Sequence, residues 1–544
     1  MAPEISEMTT LTNSGLHAEL PAGPALETTP TPRQSLFEIF RQLWPAYLLA
    51  CLLILYGFHW GLPGAYQDKS FQADENAAVW AVNQIHFPHL NPHWFPWGTG
   101  LFYQVYLLKE IFTVGGIFPA SNYWMLVLGR LVVFASALGA ITALFVLARK
   151  LFDTWTARLA AMLLAVTPGF VISAHYFKTD VPMTFWMLVT MVFVYRLIEA
   201  GMPRDVLLLG FLVGYTASIK YSAAPLLLVG LLAVVIARRK FQKKLSLILY
   251  FLSVGAGFAF GEPAALRPGN WKEILAAIRW VASLNTLGVP YHLGRLPAWI
   301  DYPVSVMPYA MTMPVLLAAA TALLWVVLKK GREFWPILIF LAAYYLLLAR
   351  DNWRLVRYTV PLLPFAALFV AAFVAHLRKE RVIGKISVAA GYALVAYALL
   401  FSFSYVRVMA QTDPRNQATR WSLQHLAKET PVPQVGAFYL NVPQLEFAGY
   451  KVLDVGYNIA DLQSAASPYL VVSEFSTAPY AQAIGHWPEQ EKFLAYVNEH
   501  YGEVAHFENS QKLLFLDSKR GSKLAQDWLI PNPKITILVR RSAP

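Results

Sequence analysis

The chain has 544 residues, 57% of them hydrophobic and only 14% charged, with a mean hydropathy of +0.45. Soluble domains carry roughly a quarter charged residues, so this composition excludes a soluble globular protein and points to repeated membrane spans. The formal charge of +12 does not indicate nucleic-acid binding, because Lys and Arg stand in short clusters between apolar runs, as in loops on one side of a membrane.

Residues 1–34 are rich in Thr, Pro, Glu and Ala and lack a basic start followed by a short apolar core. They read as disorder and not as a cleaved signal, making 1–42 a cytoplasmic tail ahead of the first span. The single cysteine, Cys51, lies inside the first apolar run, which rules out an internal disulfide and a multi-cysteine metal site. Runs of spanning character follow near 43–62, 122–148, 156–173, 180–198, 205–219, 221–237, 245–261, 304–328, 334–349, 359–376 and 385–406, about eleven in all.

Charge sets the orientation. Arg149, Lys150 and Arg158, then Arg196 and Arg204, then Arg238, Arg239, Lys240, Lys243 and Lys244 fall in alternate loops, and Lys329, Lys330 and Arg332, then Arg378, Lys379, Arg381 and Lys385, keep the phase. The positive-inside rule places these loops in the cytoplasm, with the N-terminus inside and the C-terminal segment outside. The expected architecture is a polytopic α-helical membrane module over 43–407, with long outside loops at 63–121 and 262–303, in a multi-pass inner or plasma membrane. A small soluble α/β domain over 408–544 follows, with strand-like runs at 435–440, 469–473, 512–516 and 535–539 and helix-like runs at 418–429 and 489–500. That domain carries neither a glycine-rich phosphate fingerprint nor a nucleophile elbow.

The chemistry-bearing residues sit at the outer ends of the spans. Asp74-Glu75 opens an amphipathic stretch soon after the first span, suited either to a general base at the membrane surface or to the first turn of a solvated helix. His175, Lys178 and Asp180 crowd the start of the fourth span, in Ser173-Ala174-His175-Tyr176-Phe177-Lys178-Thr179-Asp180-Val181-Pro182. Thr179 or Asp180 can cap that helix, which leaves His175 and Lys178 unexplained. Lys220 closes the fifth span and Arg357-Tyr358 opens the tenth, two cations against the inside-positive trend that either snorkel or hold an anion such as phosphate. His86, His89 and His93 have the spacing of a helical metal site, but Pro88 and Pro92 break the face such a site requires. Glu262 opens the second long loop, with Arg295 and Asp301 near its end, as a second wall of one cavity or as ordinary loop residues.

With those motifs in place, the chain resembles the GT-C superfamily, specifically bacterial glycosyltransferases related to protein O-mannosyltransferases and to the lipid A aminoarabinose transferase. The resemblance rests on Asp74-Glu75 in a long first loop, on Asn91-Pro92-His93 to Tyr103, on Lys178-Thr179-Asp180 with Pro182, and on Arg357-Tyr358 to Pro364. It implies a polyprenyl-phosphate sugar donor, a site facing away from the cytosol, a lipid, protein or glycan acceptor, and inversion at the anomeric carbon. On the matching positions it implies Asp74 as base, Glu75 as the second acid, Asp180 on the acceptor side or at a metal position, and Lys220 and Arg357 beside the lipid phosphate. His175, Lys178, Tyr358, His93 and Glu262 complete the expected substrate site. A divalent metal is compatible with the resemblance and no other cofactor is implied. The donor sugar is not legible, since relatives use mannose, aminoarabinose, galacturonic acid or arabinose. A transporter or flippase of a lipid-linked sugar is the rival reading, yet it calls for internal repeats that the sequence does not show. A non-catalytic envelope partner is the other.

Overall fold

The computed structural model describes residues 36–117, 119, 121–237, 243–284, 295–438, 440–519 and 525–541. The expected tail therefore lies outside the described residues up to 35, and residues 36–42 already belong to the first helix, Leu36–Tyr56. The basic residues Arg238, Arg239 and Lys240 also lie outside them.

Among the described residues six helices are long and apolar enough to cross a membrane: Phe37–Tyr56, Asn122–Leu151, Asp180–Ala200, Met313–Leu348, Val356–Leu377 and Gly384–His425. Shorter apolar helices cover Thr154–Val166, Tyr221–Ala237 and Leu245–Gly261. The count departs from the eleven expected runs for local reasons. The run 156–173 breaks at Thr167, extended at ψ 123°, because Pro168 has no N–H to continue the ladder and starts a separate helix, Pro168–Ser173. The fifth run folds as Pro203–Ile219, 17 residues long. It packs tightly on the helix Lys243–Gly261, where a Cβ on Gly214 would come within 1.9 Å of the Val254 oxygen, so only glycine permits the approach.

The runs 304–328 and 334–349 fuse into one stretch of helix, Met313–Leu348. Straight, it would be about 54 Å long, far more than a bilayer core. Its neighbours show that it turns back. Near one end of the bundle Ala310 lies against Gly169 and the Tyr344 hydroxyl donates to the Tyr358 oxygen. At the other end Trp325 stacks on His376 and Phe334 packs on Phe152 and Phe369. The reversal falls at the cluster Lys329, Lys330 and Arg332, where the charges call for a loop. Two faces result. One gathers the basic clusters, where Lys150 pairs with Glu199, Arg196 with Asp205 and Arg378 with Asp153. The other carries the long loops.

After the last helix of the bundle, Asp413 caps the helix Pro414–His425 by accepting from the Arg415 N–H. A mixed five-stranded sheet follows, in the order Val452–Asp454, Val432–Gln434, Tyr469–Ser473, Ile535–Arg540 and Tyr501–Phe507, with the first three parallel and the last two antiparallel. Alternate residues serve opposite faces: Val471 packs with Ala418, Val432 and Ile537, while Leu470 and Val472 pack with Phe493 and Val497. The expected strand at 435–440 is displaced to Val432–Gln434, and the one at 512–516 is a hairpin, Lys512–Leu513 with Leu516–Asp517. The domain is locked to the first long loop by Arg415, which is buried, grips Asp413 and the oxygens of Leu440 and Ile530, and lies over the Phe71 ring at 3.9 Å. Trp60 donates to the same Asp413 at 3.0 Å.

Candidate active site

The first loop folds into the helices Ala73–Gln84 and Gly100–Val114. Gln72 caps the former through its side-chain oxygen, which accepts from the Asp74 N–H at 3.2 Å. That fixes Asp74 in the first turn, where the helix dipole favours a carboxylate. From there Asp74 reaches Lys178 Nζ at 2.5 Å and Arg357 Nη2 at 3.2 Å. A parallel pair stands beside it: Asp180, first residue of its helix, holds Lys220 Nζ at 2.5 Å. Lys220 ends the helix Pro203–Ile219, and the loop bearing Trp97 passes close by because Gly98 has no side chain; a Cβ there would lie 2.1 Å from the Ser218 oxygen. Lys220 and Arg357 both sit over the Tyr358 ring, at 5.0 and 5.3 Å from its centre.

These groups line a cavity of about 720 Å³. Asp74, Lys178, Asp180, Lys220 and Arg357, with Tyr358 beneath the cations, form its polar part, and Trp94, Trp97, Trp353 and Phe438 its aromatic walls. Burial pushes the Asp74 carboxyl up, but Lys178 and Arg357 outweigh it and hold the group down at about 2, so Asp74 is ionised throughout the physiological range. Burial pushes Lys178 below the ordinary lysine range, with Arg357 adding to the effect and Asp74 opposing it. Two further carboxylates line the cavity but are bound within its wall. Asp351 accepts from the Tyr302 hydroxyl and the N–H groups of Trp353 and Arg354. Asp527, from the C-terminal domain, accepts from the N–H groups of Val356 and Arg357 at 3.0 Å each, capping the 3-10 turn Val356–Leu362 that carries Arg357 and Tyr358.

Six of the ten expected site residues thus meet at one cavity, and four do not line it. Glu75 is fully buried and faces away from the cavity: Arg130 grips both of its oxygens at 2.7 and 2.8 Å, Ser70 donates at 2.7 Å and the Phe177 N–H at 2.7 Å. One residue further along a helix turns the side chain by about 100°, which separates the two acids. His175 is buried, donating from Nδ1 to the Val171 oxygen at 2.8 Å, and burial holds its ring down at about 4, hence neutral. His93 is half exposed, bonds Glu273 at 3.1 Å and joins the first long loop to the second. Glu262, next to the helix Lys243–Gly261, accepts from Tyr221, whose side of the residue lines the cavity, and burial raises its carboxyl to about 7. Among the described residues no three His, Cys, Asp or Glu side chains gather closely enough to hold a metal ion, and His89 is bound to Arg267.

Arg130, Asp351 and Asp527 are absent from the sequence reading. Arg130 could have been found, as an arginine within an apolar run of spanning length. Asp351 and Asp527 follow no motif.

Residues 122–259 match the family model described as dolichyl-phosphate-mannose-protein mannosyltransferase. That segment carries Arg130, Lys178, Asp180 and Lys220, and the match agrees with the GT-C resemblance. Among solved structures the chain is similar to the oligosaccharyltransferase of Archaeoglobus fulgidus in complex with Zn and sulfate, at 14% identity over 86% of this chain and 72% of that one, TM-score 0.48. It is similar to AglB of the same organism in complex with an inhibitory peptide and a dolichol-phosphate, at 14% identity over 87% and 74%, TM-score 0.48. It is also similar to ArnT from Cupriavidus metallidurans bound to undecaprenyl phosphate, at 12% identity over 93% and 98%, TM-score 0.47. Likeness at that level carries no correspondence of individual residues. No curated protein matches the chain.

Proposed function

We propose that the chain is a membrane glycosyltransferase that moves a sugar from a polyprenyl-phosphate donor to an envelope acceptor (lipid, protein or glycan), on the face away from the cytosol and with inversion. The observation that carries this reading is the carboxylate Asp74, on the wall of a cavity and bridging Lys178 and Arg357, with Lys220 across the Tyr358 ring. The family match over 122–259 supports it.

A phosphate leaving group is already a stable anion, so the departing side of the reaction needs cations and not a general acid. Lys178, Lys220 and Arg357 supply them. The acceptor oxygen attacks the anomeric carbon as the bond from that carbon to the phosphate oxygen breaks; the bonding pair leaves with the phosphate, and the acceptor proton passes to Asp74. With both cations on it, Asp74 is a weak base. A donor phosphate that draws Lys178 and Arg357 to itself raises the basicity of Asp74 when the base is needed. The aromatic walls offer apolar faces for the sugar ring. The paired carboxylates of glycoside hydrolysis are not required, which fits Glu75 being turned away.

The test is sugar transfer by the purified, reconstituted chain from polyprenyl-phosphate sugars. Asp74→Asn is expected to abolish transfer while donor lipid still binds, and full activity in that variant would remove the proposed base.

A further inference from the structure

The C-terminal domain also packs on the last helix of the bundle, Gly384–Met409. Arg407, in the last turn of the helix Gly384–Met409, donates to the backbone oxygens of Ser510 at 2.9 Å and Lys512 at 2.8 Å. Trp528 packs against Phe401 and Tyr405 of the same helix and donates to the Ser518 oxygen at 2.7 Å. These contacts pin both roots of the hairpin Lys512–Leu513 with Leu516–Asp517 beside the end of an apolar helix.

The turn of that hairpin is Leu514-Phe515. Two-residue turns in water are ordinarily Asn-Gly, Asp-Gly or glycine-containing. Here Leu514 holds φ +54° without being glycine, and the two side chains are 78% and 76% exposed. Two adjacent large apolar groups held out together on a projecting tip form the kind of exposed apolar feature that marks a contact with membrane or partner. The roots sit where the apolar run of the helix ends, and Arg407 and Lys512 stand there, at the level where Lys and Arg side chains reach lipid headgroups. Two strand residues from root to tip reach about 7 Å. That matches the roughly 5–10 Å to which interfacial apolar groups enter the headgroup and acyl boundary.

We propose that the Leu514-Phe515 tip inserts into the bilayer interface beside the helix Gly384–Met409 and tethers the C-terminal domain to the lipid surface. The tether keeps Phe438, Asp527 and Ile530 of that domain seated in the cavity wall.

The test uses the full-length chain with Cys51→Ser, in vesicles of phosphatidylethanolamine and phosphatidylglycerol, carrying a nitroxide at Leu514→Cys, Phe515→Cys or, as a water-facing reference, Glu499→Cys. All three positions are exposed, so the core is untouched. Collision with oxygen is expected to exceed collision with a water-soluble nickel chelate at 514 and 515, and the order is expected to reverse at 499. Water-like values at both tip positions overturn the proposal. So does low access to both reagents at the tip in detergent and vesicles alike, which would assign the tip to contact with a second copy of the chain.

Discussion

Asp74 and Glu75 are chemically near-identical neighbours in one helical turn, and the fold gives them opposite surroundings. Asp74 faces the cavity and is held by two cations from distant segments, Lys178 and Arg357. Glu75 is sealed from solvent and spends all its accepting capacity on Arg130, Ser70 and the Phe177 backbone. An acid that reaches a cavity can exchange partners with a ligand; one whose lone pairs are satisfied inside the bundle can only hold structure. The first pair of contacts is open to a ligand, and the second ties the loop to the helix Asn122–Leu151 and to the segment ahead of Asp180–Ala200.

The largest effect that sharpens this contrast is Asp74→Asn, expected to lower transfer by about 10²–10⁴-fold, the usual worth of a positioned base, with thermal stability unchanged or slightly altered. Glu75→Gln should do the reverse. It leaves Arg130 charged and buried without its partner, at about 3–5 kcal/mol in unfolding measurements, while the protein that remains folded keeps transfer. Glu75→Gln combined with Arg130→Met removes the stranded charge while the glutamine still accepts from Ser70 and the Phe177 N–H, so it should recover part of that stability, and a double variant as unstable as the single one would contradict the pairing.

A smaller effect is expected at Asp527. Asp527→Ala leaves the buried Val356 N–H and the half-buried Arg357 N–H unpaired, about 1–3 kcal/mol, which loosens the Arg357 turn and is read as weaker donor binding, and Asp527→Asn, which keeps one accepting oxygen, should lose less. Unchanged donor affinity in the alanine variant would separate the C-terminal domain from the site.

A further effect, read on stability and not on transfer, is a pH dependence. Glu262 is raised to about 7 in the folded chain, above the ordinary value of about 4.3. The unfolded chain releases this proton first, so the contribution is fully present below about pH 4 and is lost as pH rises to about 7. Melting temperature should fall across that window, and Glu262→Gln should flatten this part of the curve. Asp74, held at about 2, adds no such slope there.

Much of the site was legible because charge at membrane depth is costly and therefore informative. Asp74, Lys178, Asp180, Lys220, Arg357 and Tyr358 stand out as polar residues at the ends of apolar runs, and they meet at one cavity. The resemblance singles out Asp74 as the base, but the residues alone do not show that Glu75 turns away from the cavity, since a helical rotation decides which of two adjacent acids faces it. His175 reads as functional for the same reason that Lys178 does, yet it is buried, lines no part of the cavity and gives its Nδ1 proton to the Val171 oxygen of the preceding helix. Asp527 was out of reach because its role depends on a domain docking some 170 residues away in sequence. In the fold, the strand at 469–473 was legible from its continuous apolar run, as befits a strand buried on both faces. The hairpin at 512–517 was not, because Leu514-Phe515 gives no turn signal and reads as more strand.

The most direct measurement is native mass spectrometry of the chain extracted in mild detergent, comparing wild type with Arg357→Ala and Lys220→Ala. A polyprenyl phosphate bound to the wild-type chain, and depleted in both variants without loss of folding, is the expected result. No phosphate lipid on the wild type even after polyprenyl phosphate is added, or equal occupancy in all three proteins, would contradict the assignment of this cavity to a lipid-phosphate donor.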